Sequence, residues 1–356
     1  MPKTYKVAII GCGGMGHWHA QRLAEHKRTR VVAGMDINPE AAQKFAQAFQ
    51  VPGYTNREEM LAKHKPDMVV VATWQDCRAR ITVEIAGSGI LGILGEKPMA
   101  EGIGGCDDMI EACERYGVKL AIGHQRRFMP QNTEARRLIA SGAIGQPQAM
   151  IRRDGEGLLN RGTHELDEMA YILGDPKPLW AIGQVSRKTD KWERRVRCED
   201  LCMGEFCFEG GIRGVYESDL PQPGLRGDVV YGSDGQLRRG PQDTIELLDT
   251  KKLGWQTITP APETDQHQEF VDWLDGKIEL HRNHGRRAKV AMELMMAIYE
   301  SLRIRDVVRF PLTTRPNPLD LMVDGGLLPV FKEGRYDIRA PFPEEKPKEG
   351  EARTPL

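Results

Sequence analysis

Four glycines in the six residues 11–16, GCGGMG, are the feature that most constrains how this chain folds. The apolar run 7–10, VAII, precedes them directly, and the next apolar run ends twenty residues later at the single acid Asp36. Glycine permits a sharp turn and a close approach of backbone N–H groups to phosphates, and the N-terminus of the following helix favours an anion. An acid at this spacing accepts hydrogen bonds from ribose hydroxyls and repels a 2′-phosphate. The pattern therefore predicts a dinucleotide site that takes NAD in preference to NADP.

The residues expected to line this site are the glycine run and residues that follow neighbouring strands. Helix and strand patterns place all of them at one edge of a sheet, where α/β folds bind ligands. The predicted cofactor-binding set is Gly11, Cys12, Gly13, Gly14, Met15, Gly16, Asp36, Ile37, Thr73, Trp74, Glu96, Lys97 and Gln125.

Length and charge narrow the class of protein. A chain of 356 residues is longer than one core usually grows, which predicts two domains. A formal charge of -1 offers no electrostatic footprint for nucleic acid or an anionic membrane, so a small-molecule substrate is the expected partner. Among the seven cysteines, Cys198, Cys202 and Cys207 cluster without a CxxC pair or a neighbouring histidine, which favours free thiols over a metal site or disulfides. With no apolar leader before the first strand, the expected compartment is the cytoplasm.

The order of apolar runs predicts an α/β fold. From residue 6 to about 124 short strands alternate with amphipathic helices, which is typical of a Rossmann domain with a doubly wound parallel sheet. Beyond it, alternating strands near 146–151, 181–185, 201–208 and 212–218 predict a second α/β domain with an open, mainly antiparallel sheet. The expected division is 1–124 for the dinucleotide-binding domain, 125–340 for the substrate and oligomerisation domain, and 341–356 for a polar tail.

Glu96-Lys97-Pro98 follows the fifth predicted strand, so Lys97 should lie beside the nicotinamide end of the cofactor. Burial there would lower the pKa of the ammonium group and allow proton exchange near neutrality. A surface lysine before a turn proline is the alternative interpretation.

The run 123–128, GHQRRF, leaves the sixth strand at the expected mouth between the domains. Arg126 or Arg127 could fork hydrogen bonds to a hydroxyl or carboxylate, while one of them pairs with a structural acid. His124 is equally consistent with a packed hinge residue and a ligand contact.

The run 160–167, NRGTHELD, opens a further helix and places His164 in its first turn. A lone histidine there often only packs or caps, but Asp167 one turn later could orient the ring, and Asn160 lies just before it. Thr163 is expected either to cap the helix or to contact substrate.

Taken together, these motifs resemble the Gfo/Idh/MocA family of oxidoreductases, named for glucose-fructose oxidoreductase, inositol dehydrogenase and the rhizopine catabolism protein. The resemblance spans nearly the whole chain and includes the helix at 291–301 with the VRFPL run at 308–312. It implies a nicotinamide cofactor, a sugar or cyclitol substrate, and catalytic roles for Lys97 and His164.

One position departs from the resemblance, since many members of the family carry aspartate where this chain has Asn160. An amide cannot stabilise an imidazolium by charge, so His164 should be a weaker base here. The catalytic set is therefore Lys97, His164 and Asn160, and the substrate-binding set is Lys97, Arg126, Asn160, Thr163 and His164; no metal is expected.

Three functions stay open on these residues. The first is an NAD-dependent dehydrogenase or reductase of a sugar, sugar acid or cyclitol. The second is a redox-neutral NAD-dependent enzyme that cleaves a glycoside through a transient keto-sugar. The third is a non-catalytic dinucleotide sensor. A homo-oligomer, dimer or tetramer, is expected because an open sheet needs cover, and residues 317–331 form an arm that lies on a neighbour or on its own chain.

Overall fold

A computed structural model describes residues 3–153, 157–218, 227–252 and 254–338 of the chain. Its first sheet contains the strands β1 (Tyr5–Ile10), β2 (Thr29–Met35), β3 (Gly53–Tyr54), β4 (Met68–Val71), β5 (Gly92–Gly95) and β6 (Lys119–Ile122). All of them pair in parallel, in the order β3-β2-β1-β4-β5-β6. The connecting helices are α1 (Gly14–Glu25), α2 (Pro39–Phe49), α3 (Arg57–His64), α4 (Gln75–Ala86) and α5 (Ile103–Arg115). This is the predicted doubly wound Rossmann sheet, and its strand order reverses between β1 and β4, where such folds bind ligands.

Local sequence explains these elements. All four residues of β4, MVVV, are buried, as expected for a strand covered by helices on both faces. Asn38 caps α2 by accepting a hydrogen bond from the Glu40 N–H, with Pro39 at the first helical position. Asn56 caps α3 in the same way through the Glu59 N–H.

The second sheet has nine strands and is mainly antiparallel, as predicted. They are β7 (Pro147–Arg153), β8 (Pro178–Ser186), β11 (Leu201–Phe208), β12 (Arg213–Glu217), β13 (Gly227–Gly232), β14 (Gly235–Arg239), β15 (Ile245–Asp249), β16 (Trp255–Ile258) and β17 (Val308–Arg309), in the order β16-β15-β14-β13-β7-β12-β11-β8-β17. Only β12 and β7 pair in parallel among the strands that the structure describes here. A smaller sheet contains β9 (Thr189–Glu193), β10 (Val196–Arg197) and β18 (Lys332–Asp337).

The remaining helices are α6 (Pro130–Ala140), α7 (Thr163–Ile172), α8 (Gln266–Leu274), α9 (Gly285–Ile304) and α10 (Pro318–Asp324). Helix α9 packs so closely on the second sheet that a Cβ on Gly183 or Gly204 would lie within 3 Å of Ile298. On the opposite face of β8 and β11, the side chains of Ile182, Leu201 and Met203 are exposed.

Helix α8 comes from the late part of the chain and packs on the first sheet. Phe270 and Trp273 of α8 are buried in the core of the first sheet with residues of β1 and β4. A Cβ on Gly92 of β5 would lie 2.7 Å from the Phe270 ring, and the Ile122 N–H donates to the Asn283 carbonyl. The late part of the chain therefore completes the first domain.

The arm at 317–331 folds in part on its own chain. Asn317 caps α10, whose Leu319 and Met322 are buried in the same core as α9. The polar tail at 341–356 lies outside the described residues. Each of the seven cysteines is a free thiol in the structure. Among the helices of the described ranges, none has the length and apolar content that a membrane crossing requires.

Candidate active site

The glycine run has the geometry that the dinucleotide prediction requires. Gly11 has a φ of +95°, and a Cβ there would lie 2.6 Å from the Ala72 carbonyl oxygen. A Cβ on Gly16 would lie 1.9 Å from the Gly11 carbonyl oxygen, so α1 packs directly on the turn. Gly13 and Gly14, by contrast, have nothing within 4 Å of a Cβ. Because Gly13 precedes α1 without a side-chain cap, no capping side chain occupies the first N–H groups of the helix, and they can receive a phosphate.

Asp36 lies beside the glycine run at the end of β2. Its Oδ2 accepts a hydrogen bond of 2.8 Å from the Cys12 N–H, and its Oδ1 accepts one of 2.9 Å from the Asn38 N–H. Ile37 next to it is 84% exposed, which leaves an apolar surface at the edge where an adenosine would lie. Burial and the neighbouring Asp36 raise the pKa of the Cys12 thiol to about 12, so it stays protonated.

Two buried polar atoms at the same edge of the sheet have no hydrogen-bond partner among the described residues. They are Thr73 Oγ1, after β4, and Gln125 Oε1, after β6. Unpaired buried oxygens are costly in a protein, and each of these would gain a partner from a polar ligand lying across the strand ends. Together with the open side of the glycine run, they show that the residues present fit a nicotinamide dinucleotide.

Lys97 projects from the end of β5 and meets the second half of the chain. Its Nζ donates a hydrogen bond of 2.8 Å to the backbone carbonyl of Asn160. Burial lowers the pKa of Lys97 to about 8; the carboxylate of Glu96 opposes this effect, and Arg194 adds to it. A pKa in this range lets Lys97 exchange a proton slightly above neutral pH, which is the property that a proton-accepting lysine needs.

His164 is buried in the first turn of α7, one turn beyond Asn160. Burial lowers its pKa well below the usual range, and the positive charges of Lys97 and Arg126 lower it further. Its Nδ1 is buried with no hydrogen-bond partner among the described residues. The ring is therefore neutral because it is buried among positive charges.

Asp167 does not orient His164. Its carboxylate accepts hydrogen bonds of 2.7–2.9 Å from the buried guanidinium of Arg127, and Asp175 accepts another from Arg127. His124 Nδ1 lies 3.4 Å from Asp167 Oδ1 without the alignment of a hydrogen bond. Arg127 is thus the arginine that pairs with structural acids.

Thr163 is fully buried, and its hydroxyl lies 3.1 Å from His124 Nε2. It is the first residue of α7 and not its cap, because Gly162 occupies the cap position. The hydroxyl supports the packing of His124, and its predicted contact with substrate stays a prediction.

Arg126 also pairs with acids, which sequence reasoning does not anticipate. Its Nη1 donates to Glu165 at 2.5 Å and to Glu168 at 2.8 Å, and Arg152 of β7 binds the same two carboxylates. The Arg126 guanidinium nevertheless borders an open cleft of about 380 Å³, which it lines together with Arg161, Arg239 and Asp243. That volume suits a small polar ligand.

A turn that the sequence does not reveal approaches the site from the second half. Arg194 and Arg195, between β9 and β10, have φ values of +47° and +70°, which non-glycine residues rarely adopt. Asp337 holds the turn by accepting both of their N–H groups, at 3.0 and 2.7 Å. The Arg195 guanidinium lies 4.6 Å from the ring centroid of Trp74. Glycine or asparagine usually marks such turns in a sequence, and here neither is present.

Across the part of the chain that the structure describes, no group of three or more His, Cys, Asp or Glu side chains is arranged to hold a metal ion.

Comparison with known proteins supports the dinucleotide site described above. Residues 5–124 match the sequence profile of the GFO_IDH_MocA family, described as an oxidoreductase family with an NAD-binding Rossmann fold. The chain is 26% identical over 287 residues to D-apiose dehydrogenase of Paraburkholderia graminis, covering 73% of each protein. It is 28% identical over 187 residues to inositol 2-dehydrogenase/D-chiro-inositol 3-dehydrogenase of Shouchella clausii, covering 48% of this chain and 54% of that relative.

A solved structure shares the fold across both halves. The WlbA dehydrogenase of Bordetella pertussis, in complex with NADH and UDP-GlcNAcA, superposes with a TM-score of 0.73 at 21% identity. The match covers 87% of this chain and 100% of that one.

Proposed function

We propose, since the chain belongs to the Gfo/Idh/MocA family of oxidoreductases, that it transfers hydride between NAD and a hydroxyl-bearing carbon of a sugar, sugar acid or cyclitol. The observation that carries the proposal is the 2.8 Å hydrogen bond from Lys97 Nζ to the Asn160 carbonyl. It brings the lysine of the cofactor-binding half to the turn that presents His164. A proton acceptor therefore lies close enough to a polar ring for the charge of Lys97 to act on His164.

Lys97 is the residue that accepts the hydroxyl proton in the oxidation direction. When bound, a nicotinamide supplies the acceptor for the hydride from the substrate carbon. The neutral amine of Lys97 takes the proton as the O–H bond breaks, and in the reverse direction the ammonium returns it. With its pKa near 8, both forms of Lys97 are present at working pH.

His164 binds the substrate oxygen as a neutral ring. Its lowered pKa excludes a role as the main proton store near neutral pH. The backbone carbonyl of Asn160 accepts the hydrogen bond of Lys97 and so holds its ammonium group beside the turn that precedes His164. Arg126, at the edge of the cleft, orients the remaining hydroxyl or carboxylate groups of the substrate.

Asp36 supports NAD over NADP as the cofactor. Its carboxylate lies against the glycine run where a ribose would bind, and a 2′-phosphate there would meet a like charge. Titration calorimetry with NAD⁺ and NADP⁺ tests this preference. We expect Asp36→Ser to narrow the difference in affinity, and equal affinities in the wild type would contradict it.

The activity itself is tested by incubating the purified protein with NAD⁺ and a panel of cyclitols, hexoses, uronates and glycosides. Accumulation of NADH with one class of substrate supports the proposal. Cleavage of a glycoside with no NADH accumulation would support the redox-neutral alternative. Tight NAD⁺ binding with no change in the cofactor spectrum across the panel would favour a sensor.

We also propose that the protein forms a homo-oligomer. Ile182, Leu201 and Met203 project from one face of β8 and β11 and are 44–49% exposed. Exposed apolar side chains on an open sheet face are typical of an interface. Light scattering tests it: Met203→Asp should reduce the molar mass in solution, whereas Leu280→Asp, a change to an exposed leucine outside the sheet, should not.

A further inference from the structure

Two buried histidines connect Glu96, next to Lys97, with a helix from the far end of the chain. His19 of α1 lies with its Nε2 2.8 Å from Glu96 Oε1 and its Nδ1 2.9 Å from Nε2 of His267 on α8. The three side chains belong to residues that are 0%, 4% and 2% exposed, in the order His19, Glu96, His267. The chain of contacts therefore runs through the interior, between the helix that follows the glycine run and the helix that closes the first domain.

The hydrogen on His19 Nε2 can be assigned from its contact with Glu96. A carboxylate accepts, so His19 Nε2 must carry a hydrogen and donate it to Glu96. Burial lowers the pKa of His267, and the neighbouring Asp265 carboxylate opposes this effect. Asp265 Oδ1 lies 3.6 Å from Nδ1 of His267. The hydrogen bond to Glu96 is therefore one end of a chain of polar contacts that continues through His267 to Asp265.

Glu96 stays ionised in spite of its burial. Burial by itself would raise the pKa of this carboxyl, but the hydrogen bond from His19 and the charges of Arg78 and Lys97 more than offset it, so the pKa is lowered. The second oxygen, Oε2, accepts a hydrogen bond of 3.2 Å from the backbone N–H of Lys97. A fixed negative charge is thus held one residue before the proton-accepting lysine.

We propose that His19 and His267 are positioning residues for the hydride transfer proposed above, holding Glu96 as an oriented carboxylate whose charge keeps the ammonium form of Lys97 accessible. Neither histidine touches the cleft through any described contact, and both act through Glu96. Without that charge, a smaller fraction of Lys97 would carry a proton near neutral pH. Fewer molecules could then return a proton to a substrate oxygen in the reduction direction.

The sign of the effect follows from the groups around Lys97. Burial lowers the pKa of Lys97 and Glu96 raises it, while the hairpin of the second half contributes the opposing charges of Arg194 and Glu193. The other ionisable groups that interact with Lys97 are Arg78 on α4, His124 after β6 and His164 on α7. Removing the charge of Glu96 leaves an excess of positive neighbours, so the pKa of Lys97 must fall below its value of about 8.

The test measures that pKa directly in the full-length protein. Trace acetylation with acetic anhydride over a pH series, followed by mass spectrometry, gives the titration midpoint of each lysine. We expect Glu96→Gln to lower the midpoint of Lys97 by about one unit, as for the loss of one nearby charge in a partly buried site. His19→Leu and His267→Leu should lower it in the same direction, with the larger effect for His19→Leu.

Two variants sharpen the comparison. His19→Gln keeps an amide donor for Glu96 and should shift the Lys97 midpoint less than His19→Leu. His26→Gln changes another histidine at the contact between α1 and α8, one that bonds Gln268 at 2.9 Å and not Glu96, and it should leave the midpoint unchanged.

If the Lys97 midpoint shifts in Glu96→Gln but in neither leucine variant, the role of the histidines is overturned. If the Lys97 midpoint does not shift in Glu96→Gln, the role of the carboxylate is overturned. Should His19→Leu not fold, His267→Leu and His19→Gln test the same role. Acetylation needs no substrate and no turnover, so either failure is distinguishable from a failure of the proposed activity.

Discussion

The pH dependence of turnover is the prediction that tests the proposed chemistry most directly. If neutral Lys97 accepts the substrate proton, oxidation should follow the neutral fraction of a lysine whose pKa is about 8. That fraction is about 9% at pH 7 and about 90% at pH 9, so kcat/KM should rise roughly tenfold between these values. An ordinary exposed lysine would show no plateau in this range, because its pKa lies near 10.4.

The assay is the initial rate of NADH formation across this pH range, with the cofactor varied so that kcat/KM reports the free enzyme. Lys97→Gln should reduce kcat by about 10²- to 10⁴-fold, the usual contribution of a positioned base, and should abolish the rise with pH. Lys119→Gln is the matched control, because Lys119 also donates from Nζ to a backbone carbonyl, that of Trp273, far from the cleft. It should leave the profile unchanged.

The reasoning fails if Lys97→Gln retains the ascending limb, since the titrating group would then be another residue. It also fails if the wild-type rate is flat between about pH 7 and about pH 9 while Lys97→Gln is inactive. In that case Lys97 binds the substrate and does not carry its proton.

Three further predictions concern the framework of the site. Gly13→Ala should fold normally but lose affinity for NAD⁺, whereas Gly16→Ala should also lower the melting temperature. Only the Cβ added at Gly16 meets protein atoms, at 1.9 Å. Calorimetry measures the loss of NAD⁺ affinity, and a thermal melt measures the loss of stability. Arg127→Met leaves the buried Asp167 carboxylate unpaired and should cost about 3–5 kcal/mol in urea unfolding, and a loss below about 1 kcal/mol would contradict it. Asp337→Ala should accelerate hydrogen exchange of the two arginine amides in the turn between β9 and β10, and unchanged exchange would show that this carboxylate does not hold the turn.

Much of the fold could be predicted because its signals are local. The glycine run and the buried strand β4 identify the first sheet from the residues themselves, and the caps at Asn38 and Asn56 begin their helices where the sequence indicates. The predicted strand at 201–208 coincides with β11. Short-range geometry and hydrophobic periodicity determine all of these features.

The contacts that build the site, by contrast, join side chains from separate elements of the structure. Asp167 lies one turn from His164 in sequence, which suggests a contact, yet it binds Arg127 because that guanidinium is buried beside it and needs a carboxylate. Arg126 is predicted from sequence to face a substrate, and in the structure it also shares two glutamates with Arg152. No spacing rule predicts such pairs, since their members come from separate elements.

The sequence by itself determined that this chain has a Rossmann sheet with a dinucleotide edge, and that Lys97 and His164 follow elements able to present them, because turns, caps and strand periodicity act between near neighbours. Only the tertiary structure decided that Lys97 reaches Asn160, that His164 stays neutral, and that α8 returns His267 to His19 and Glu96. These outcomes depend on burial and on charges that lie far apart along the chain, and neither exists until the two halves have packed together.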